Sequence, residues 1–254
     1  MYRLQQNDSI NLSNNKHIAG IMEIPPLHRF ASEGNAAEVQ KLIKSGVNIN
    51  EQAKNGSTAL VYATQGNHSE VVKLLVEAGA DVNLANKLGG TPLNRAAENG
   101  NLELMNYFFD KGAIIGPLAL IIAAREGQFE ACKLLVNKGA DVNATQAWGQ
   151  TALMQAAKEG HALVVQFLLK MGANVKLRDR NGKSALSMAV DNDHMEVSLY
   201  LRRAGAVEVQ EKKKPLVVAK PDDDDDDDDT PSSGFDDAIT DEPSEDPEAD
   251  SDLD

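Results

Sequence analysis

TPLNRAAENG, residues 91–100, is one of six blocks that align in register: PPLHRFASEG at 25, TALVYATQGN at 58, LALIIAAREG at 118, TALMQAAKEG at 151 and SALSMAVDND at 184. The steps between them are 33, 33, 27, 33 and 33 residues. Each block runs into a second segment that ends in glycine: VQKLIKSG, VVKLLVEAG, LMNYFFDKG, ACKLLVNKG, VVQFLLKMG and VSLYLRRAG. Those glycines, Gly46, Gly79, Gly112, Gly139, Gly172 and Gly205, keep the same steps. Each unit thus holds two segments of about 8 and about 10 residues, too short to be stable helices on their own in water. The first is rich in alanine, which admits a close neighbour. The second carries Leu, Val and Phe at helical spacing. Glycine suits a left-handed helix C-cap, after which GADVN or GANVK turns outward to a loop closed by Asn-Gly, Gly-Gly or Trp-Gly. Such a unit buries its apolar face only by stacking on copies of itself, which predicts an all-α repeat solenoid.

The period, the TPL-x-x-AA-x-x-G core of residues 91–100, GADVN at 79–83 and 139–143, and VVKLL at 71–75 resemble the ankyrin repeat family over residues 25–207. The resemblance implies a stack of helix-turn-helix units with outward β-hairpin loops. It also implies protein binding through the loop tips and the exposed, concave side of the first helices. The positions it singles out on the loops are Lys54, Asn55, Lys87, Leu88, Trp148, Gln150, Arg180, Asn181 and Lys183, with Arg125 and Lys158 on the adjoining helices. Six residues are missing between Gly112 and Leu118, so the third loop is expected to be cut short, leaving a notch in the row. Arg29, Arg95 and Gln155 stand where the family usually buries a leucine. Arg29 can be exposed at the end of the array. Arg95 is internal and must reach solvent or a carboxylate, because an unpaired buried guanidinium is costly.

Trp148 is the chain's only tryptophan, and its counterparts are Asn55, Leu88 and Asn181. The common fold therefore does not require an indole there. Two readings stand: an aromatic anchor for a protein partner, or a ring folded over the neighbouring loop for local packing. Lys54, Lys87, Arg180 and Lys183 along the same row favour an acidic partner by raising its encounter rate.

After Lys220 the chain has no Lys or Arg, while residues 222–254 carry 15 Asp and 3 Glu, eight of the aspartates consecutive. Removing those 18 from the 39 acidic residues leaves 21 against 25 basic ones, so a body near +4 carries the tail that sets the overall charge of −14. Self-repulsion and the scarcity of apolar side chains predict a disordered tail. Residues 208–221 read as a basic and apolar linker, and residues 1–24 as an extension with a short cap over the first unit. Three roles are open to the tail: solubilising the chain, screening the array electrostatically, or binding basic proteins such as histones in a chaperone-like or chromatin-associated factor. Its negative charge opposes nucleic acid.

One cysteine, Cys132, excludes an intramolecular disulfide, and its place matches Val72 and Val165, which predicts a buried thiol. His68, His161 and His194 share one place in the repeat, so they should line up along the array in a hydrogen-bonding role and not converge on a metal. No nucleophile–base constellation, metal site or cofactor site is expected, and the chain reads as noncatalytic. The apolar runs fall short of the ~20 residues that span a bilayer, and no signal-peptide core stands at the N-terminus. The expectation is a protein of cytoplasm or nucleus, monomeric when alone.

Overall fold

The computed structural model describes residues 24–207; the N-terminal extension to residue 23, the linker and the acidic tail lie outside the described residues. Six helix pairs follow one another: α1 Pro26–Ser32 with α2 Ala36–Lys44, α3 Ala59–Gln65 with α4 Ser69–Glu77, and α5 Pro92–Glu98 with α6 Leu102–Asp110. They continue as α7 Pro117–Arg125 with α8 Phe129–Asn137, α9 Ala152–Lys158 with α10 Ala162–Lys170, and α11 Ala185–Asp191 with α12 Met195–Arg203. First helices pack in one row (α1, α3, α5, α7, α9, α11) and second helices in another.

Local chemistry fixes the start of four first helices. The hydroxyls of Thr58, Thr91, Thr151 and Ser184 accept the N–H of Val61, Asn94, Met154 and Ser187, which satisfies one orphan donor per helix. Each second helix ends in a left-handed glycine, φ +95° at Gly79, where Ala80 N–H donates to Leu75 and Gly79 N–H to Val76. This is the Schellman arrangement that closes a helix on its own last carbonyls.

The core runs the length of the array. Ala63, Ala96, Ala97, Ala123, Ala124, Ala156, Ala157 and Ala189 of the first helices are sealed. Against them lie Val72, Leu75, Leu104, Met105, Phe108, Cys132, Leu135, Val165, Leu168 and Leu201 of the second helices, also buried. Alanine sets how closely the first helices approach, and the larger side chains fill what remains.

The loops correct one expectation. They are not β-hairpins: among the described residues there is no strand, only an isolated bridge between Arg178 and Ser184. Each finger is closed by two backbone bonds at one residue: Ala53, Asn86, Gln146 and Asp179 donate to Ser57 (2.9 Å), Gly90 (2.9 Å), Gln150 (3.1 Å) and Lys183 (2.9 Å), and their carbonyls accept from Gly56, Gly89, Gly149 and Gly182. Inside two of them a side chain captures the donors nearest the turn. Asn86 Oδ1 accepts the N–H of Leu88 and Gly90, and Asp179 Oδ1 accepts those of Asn181 and Lys183. These are Asx turns, and they leave arms too short for a ladder.

Between α6 and α7 the finger is absent, and the connection passes from Gly112 to Gly116 directly into Pro117. Helix α7 gains two residues at its start, nine where α3, α5, α9 and α11 have seven.

Candidate functional site

Fingers meet their neighbours through backbone bonds. Lys87 N–H donates to Asn55 O (3.0 Å) and Arg180 N–H to Trp148 O (3.0 Å). The row is thereby tied in two pairs, with the missing third finger between them.

On this frame the sequence-derived positions separate by role. Trp148 is 62% exposed, and the Arg180 guanidinium carbon lies 5.9 Å from its ring centroid, within cation–π range. Leu88, on the other side of the notch, is 86% exposed. Lys54, Lys87 and Asn181 are exposed too. Asn55 and Gln150 serve the scaffold: Asn55 Nδ2 donates to the Tyr62 hydroxyl (3.0 Å), and Gln150 Oε1 accepts from Gln146 (2.6 Å) and Gln155 (2.7 Å).

Three candidate cations are already paired. Lys183 bonds Asp191, Lys158 bonds Glu159 (3.0 Å), and Arg125 bonds Glu126 (2.7 Å) and Glu98 (3.5 Å). The hydrogen bond from Lys158 holds the Glu159 carboxyl below its ordinary pKa. Among the described residues Lys87 has no ion pair, and Arg180 has only the indole beside its head. Positive charge is therefore offered most openly by Lys87 and Arg180, while the ridge of first-helix ends is internally compensated.

Arg95 finds its carboxylate one turn on. Its Nη1 donates to Glu98 Oε2 at 2.6 Å, and Glu98 also faces Arg125. Arg95 Nε is buried without a partner. The i, i+3 spacing of Arg95 and Glu98 is a signal that sequence reading could have used.

The histidine row bonds backwards along the array. Nε2 of His68, His161 and His194 meets the carbonyls of Ser32 (3.0 Å), Arg125 (2.8 Å) and Lys158 (2.9 Å), each at the end of the preceding unit's first helix. Gln128 does the same toward Glu98 O at 3.1 Å. Each ring caps carbonyls that the helix leaves unsatisfied. Among the described residues no group of His, Cys, Asp and Glu is arranged to hold a metal ion.

Burial pushes the Cys132 thiol up from 9.0 to about 12. The folded value lies above the unfolded one, so this contribution to stability is complete below pH 9.0 and is lost as pH rises toward about 12. The native chain is expected to resist a maleimide at about pH 8 and to label fully in urea. Rapid labelling of the folded chain would contradict the burial.

An apolar patch that the sequence did not announce lies on the second-helix side. Helix α10 has Leu163 where other units have Glu70, Glu103, Glu130 and Glu196, and Leu163 is 67% exposed beside Phe167, Met171 and Phe129. In sequence it continues the same helical pattern, so periodicity does not distinguish it.

A model of ankyrin repeats (3 copies) matches residues 27–119 and again 120–213. The chain belongs to the ankyrin-repeat family. Two solved ankyrin structures superpose on it: the human ASB11 ankyrin repeat domain, 28% identical with a TM-score of 0.64, covering 72% of this chain and 85% of that one; and an ankyrin repeat domain from Acinetobacter baumannii AYE, 32% identical with a TM-score of 0.60, covering 72% and 98%. No curated protein matches the chain. The ankyrin array is a noncatalytic protein-interaction scaffold, and no helix among its described residues is long and apolar enough to cross a membrane.

Proposed function

We propose that this ankyrin array binds a protein partner through its finger tips and concave ridge, with Trp148 as the anchor and Lys54, Lys87 and Arg180 favouring an acidic surface. The observation that carries the reading is the exposure of an indole that stays 62% open with Arg180 of the neighbouring finger beside it. A large, rigid side chain flanked by polar groups loses little conformational entropy on binding and buries much apolar area. Arg125, Lys158 and Lys183 would contribute by exchanging their present carboxylate partners, so their effect falls on partner choice more than on affinity.

The test is capture from native cells with the full chain, then quantification on the partner recovered. Trp148→Ala is expected to weaken binding about 30-fold, a loss of roughly 2 kcal/mol. Lys54→Glu, Lys87→Glu, Arg180→Glu and Lys183→Glu together should slow association and remove its salt dependence. Unchanged partners in both variants would reject this surface as the main site.

A second reading rests on composition. The 15 Asp and 3 Glu of residues 222–254, with no Lys or Arg among them, suit basic proteins such as histones, the array then acting to recruit the tail. The same charge would otherwise govern solubility or access to the fingers. Deleting residues 222–254 separates these: undiminished binding to basic proteins rejects the second reading. Cytoplasm or nucleus is the compartment proposed for either.

A further inference from the structure

Successive connections between units are fastened by one asparagine each. Asn50 Nδ2 donates to Gly79 O (3.2 Å) while its Oδ1 accepts Asp81 N–H (2.9 Å). Asn83 repeats this toward Gly112 O (3.1 Å) and Ile114 N–H (2.9 Å), and Asn143 toward Gly172 O (3.4 Å) and Asn174 N–H (2.8 Å). A primary carboxamide suits the task because it carries a donor and an acceptor side by side, matching a carbonyl and an N–H two residues apart.

The asparagine always stands four residues after the glycine that ends the second helix. After Gly112 that position is Gly116, which brings no side chain; after Gly172 it is Lys176, of other chemistry. By the same count, the groups that answer to position 116 are Gly139 O and Asp141 N–H, and Gly116, here the N-cap of α7, lines one pocket with both residues. Among the described residues nothing bonds either group. A pocket of about 230 Å³ lies there, lined by Ile115, Gly116, Pro117, Leu120, Gly139, Ala140, Asp141 and Ala144. It opens where the missing finger would otherwise continue, since Gly116 and Pro117 flank the deletion itself.

We infer that this junction is a recognition socket for an asparagine side chain on a partner segment entering the notch. The incoming Nδ2 donates to Gly139 O, its Oδ1 accepts Asp141 N–H, and the stem of the segment rests on Ile115, Pro117 and Leu120. The fold demonstrates the same pairing three times with its own asparagines. A carboxylate in that place could accept from Asp141 N–H, but it would face Gly139 O without a hydrogen to donate and would lie near the Asp141 carboxylate. A leucine side chain would cover both polar groups and satisfy neither. The socket is separate from the Trp148–Arg180 surface and stands whether or not that surface binds.

Gly116 makes the inference testable by filling the socket from within. Its φ of −88° and ψ of 168° are ordinary for any residue, and a Cβ there would meet nothing within 4 Å. Gly116→Asn and Gly116→Ala should therefore both fold. The experiment is an amide-resolved NMR titration of the full chain with N-acetyl-asparagine methylamide, and in parallel with the aspartate and leucine analogues. The Asn probe is expected to shift the Asp141 amide saturably and to bind roughly tenfold more tightly than the other two. Gly116→Ala should keep that response. Gly116→Asn should move the Asp141 amide to the bound position with no probe present and abolish the titration. An equal response to all three probes, no response at Asp141, or a response that survives Gly116→Asn would overturn the socket.

Discussion

Replacing Phe108 by alanine is expected to lower the unfolding free energy by about 3–5 kcal/mol and to split one unfolding transition into two. Phe108 heads the fully buried side chains by size, and it lies on α6 in the third unit, which packs on α8 of the fourth. Truncation removes an aromatic ring from a place that the surrounding helices cannot close over. Its position decides the second effect. At three other junctions an Asn clamp ties the connections, and finger pairs add Lys87 to Asn55 and Arg180 to Trp148. Between the third and fourth units the clamp residue is Gly116 and the finger is missing, so helix packing carries coupling that elsewhere is shared.

In a one-dimensional array, stability is a sum of unit and neighbour terms, and weakening one neighbour term uncouples the two sides. The chain's single tryptophan lies on the C-terminal side of that junction, so its fluorescence reports that side while circular dichroism reports all helices. In urea the two signals should share one midpoint for the wild type and separate for Phe108→Ala. Coincident midpoints in the variant, or a loss below about 1 kcal/mol, would show that the junction is not the weak coupling of the array.

The parts of this molecule visible in its sequence are those that repeat. Threonine or serine before an alanine-rich run, and glycine after a leucine-rich one, each act within a single helix, so the period alone locates both caps. The β-hairpin loops came instead from the resemblance, and the fingers do not form them: each closes on backbone bonds within five residues, and a single bridge, Arg178 to Ser184, is all that follows. The clamps formed by Asn50, Asn83 and Asn143 are written plainly in GVNIN and the two GADVN segments, yet their partners lie about 30 residues away in the next unit. Spacing within a unit does not reveal such bonds. Arg95 lies between these cases. Its first carboxylate, Glu98, was readable from helical spacing, while Arg125 reaches Glu98 only because neighbouring first helices stand side by side. The exposure of Trp148 had two readings in the sequence because a ring at a turn can point either way, and neither periodicity nor composition chooses between them.

Gly127→Ala should destabilise the array by about 2–3 kcal/mol, more than glycine's backbone freedom alone explains. Gly127 adopts φ +70°, a left-handed conformation in which an L side chain costs about 1–2 kcal/mol. An added Cβ would also fall 2.7 Å from both Cε1 and Nδ1 of His161. That ring is not free to withdraw, because its Nε2 is bonded to Arg125 O at 2.8 Å; moving it forfeits the cap on α7. The steric part therefore belongs to the pair and can be isolated. His161→Ala alone should cost about 1 kcal/mol through the lost hydrogen bond. In that background Gly127→Ala no longer meets a ring, so the double variant should be more stable than the sum of the singles predicts by about 1 kcal/mol. Gly46→Ala supplies the control, since Gly46 has φ +81° and nothing within 4 Å of a Cβ. It should show the backbone cost and no coupling to any histidine. Strict additivity of Gly127→Ala and His161→Ala, measured by urea denaturation, would mean that the ring yields freely and that the histidine row does not hold the units in register.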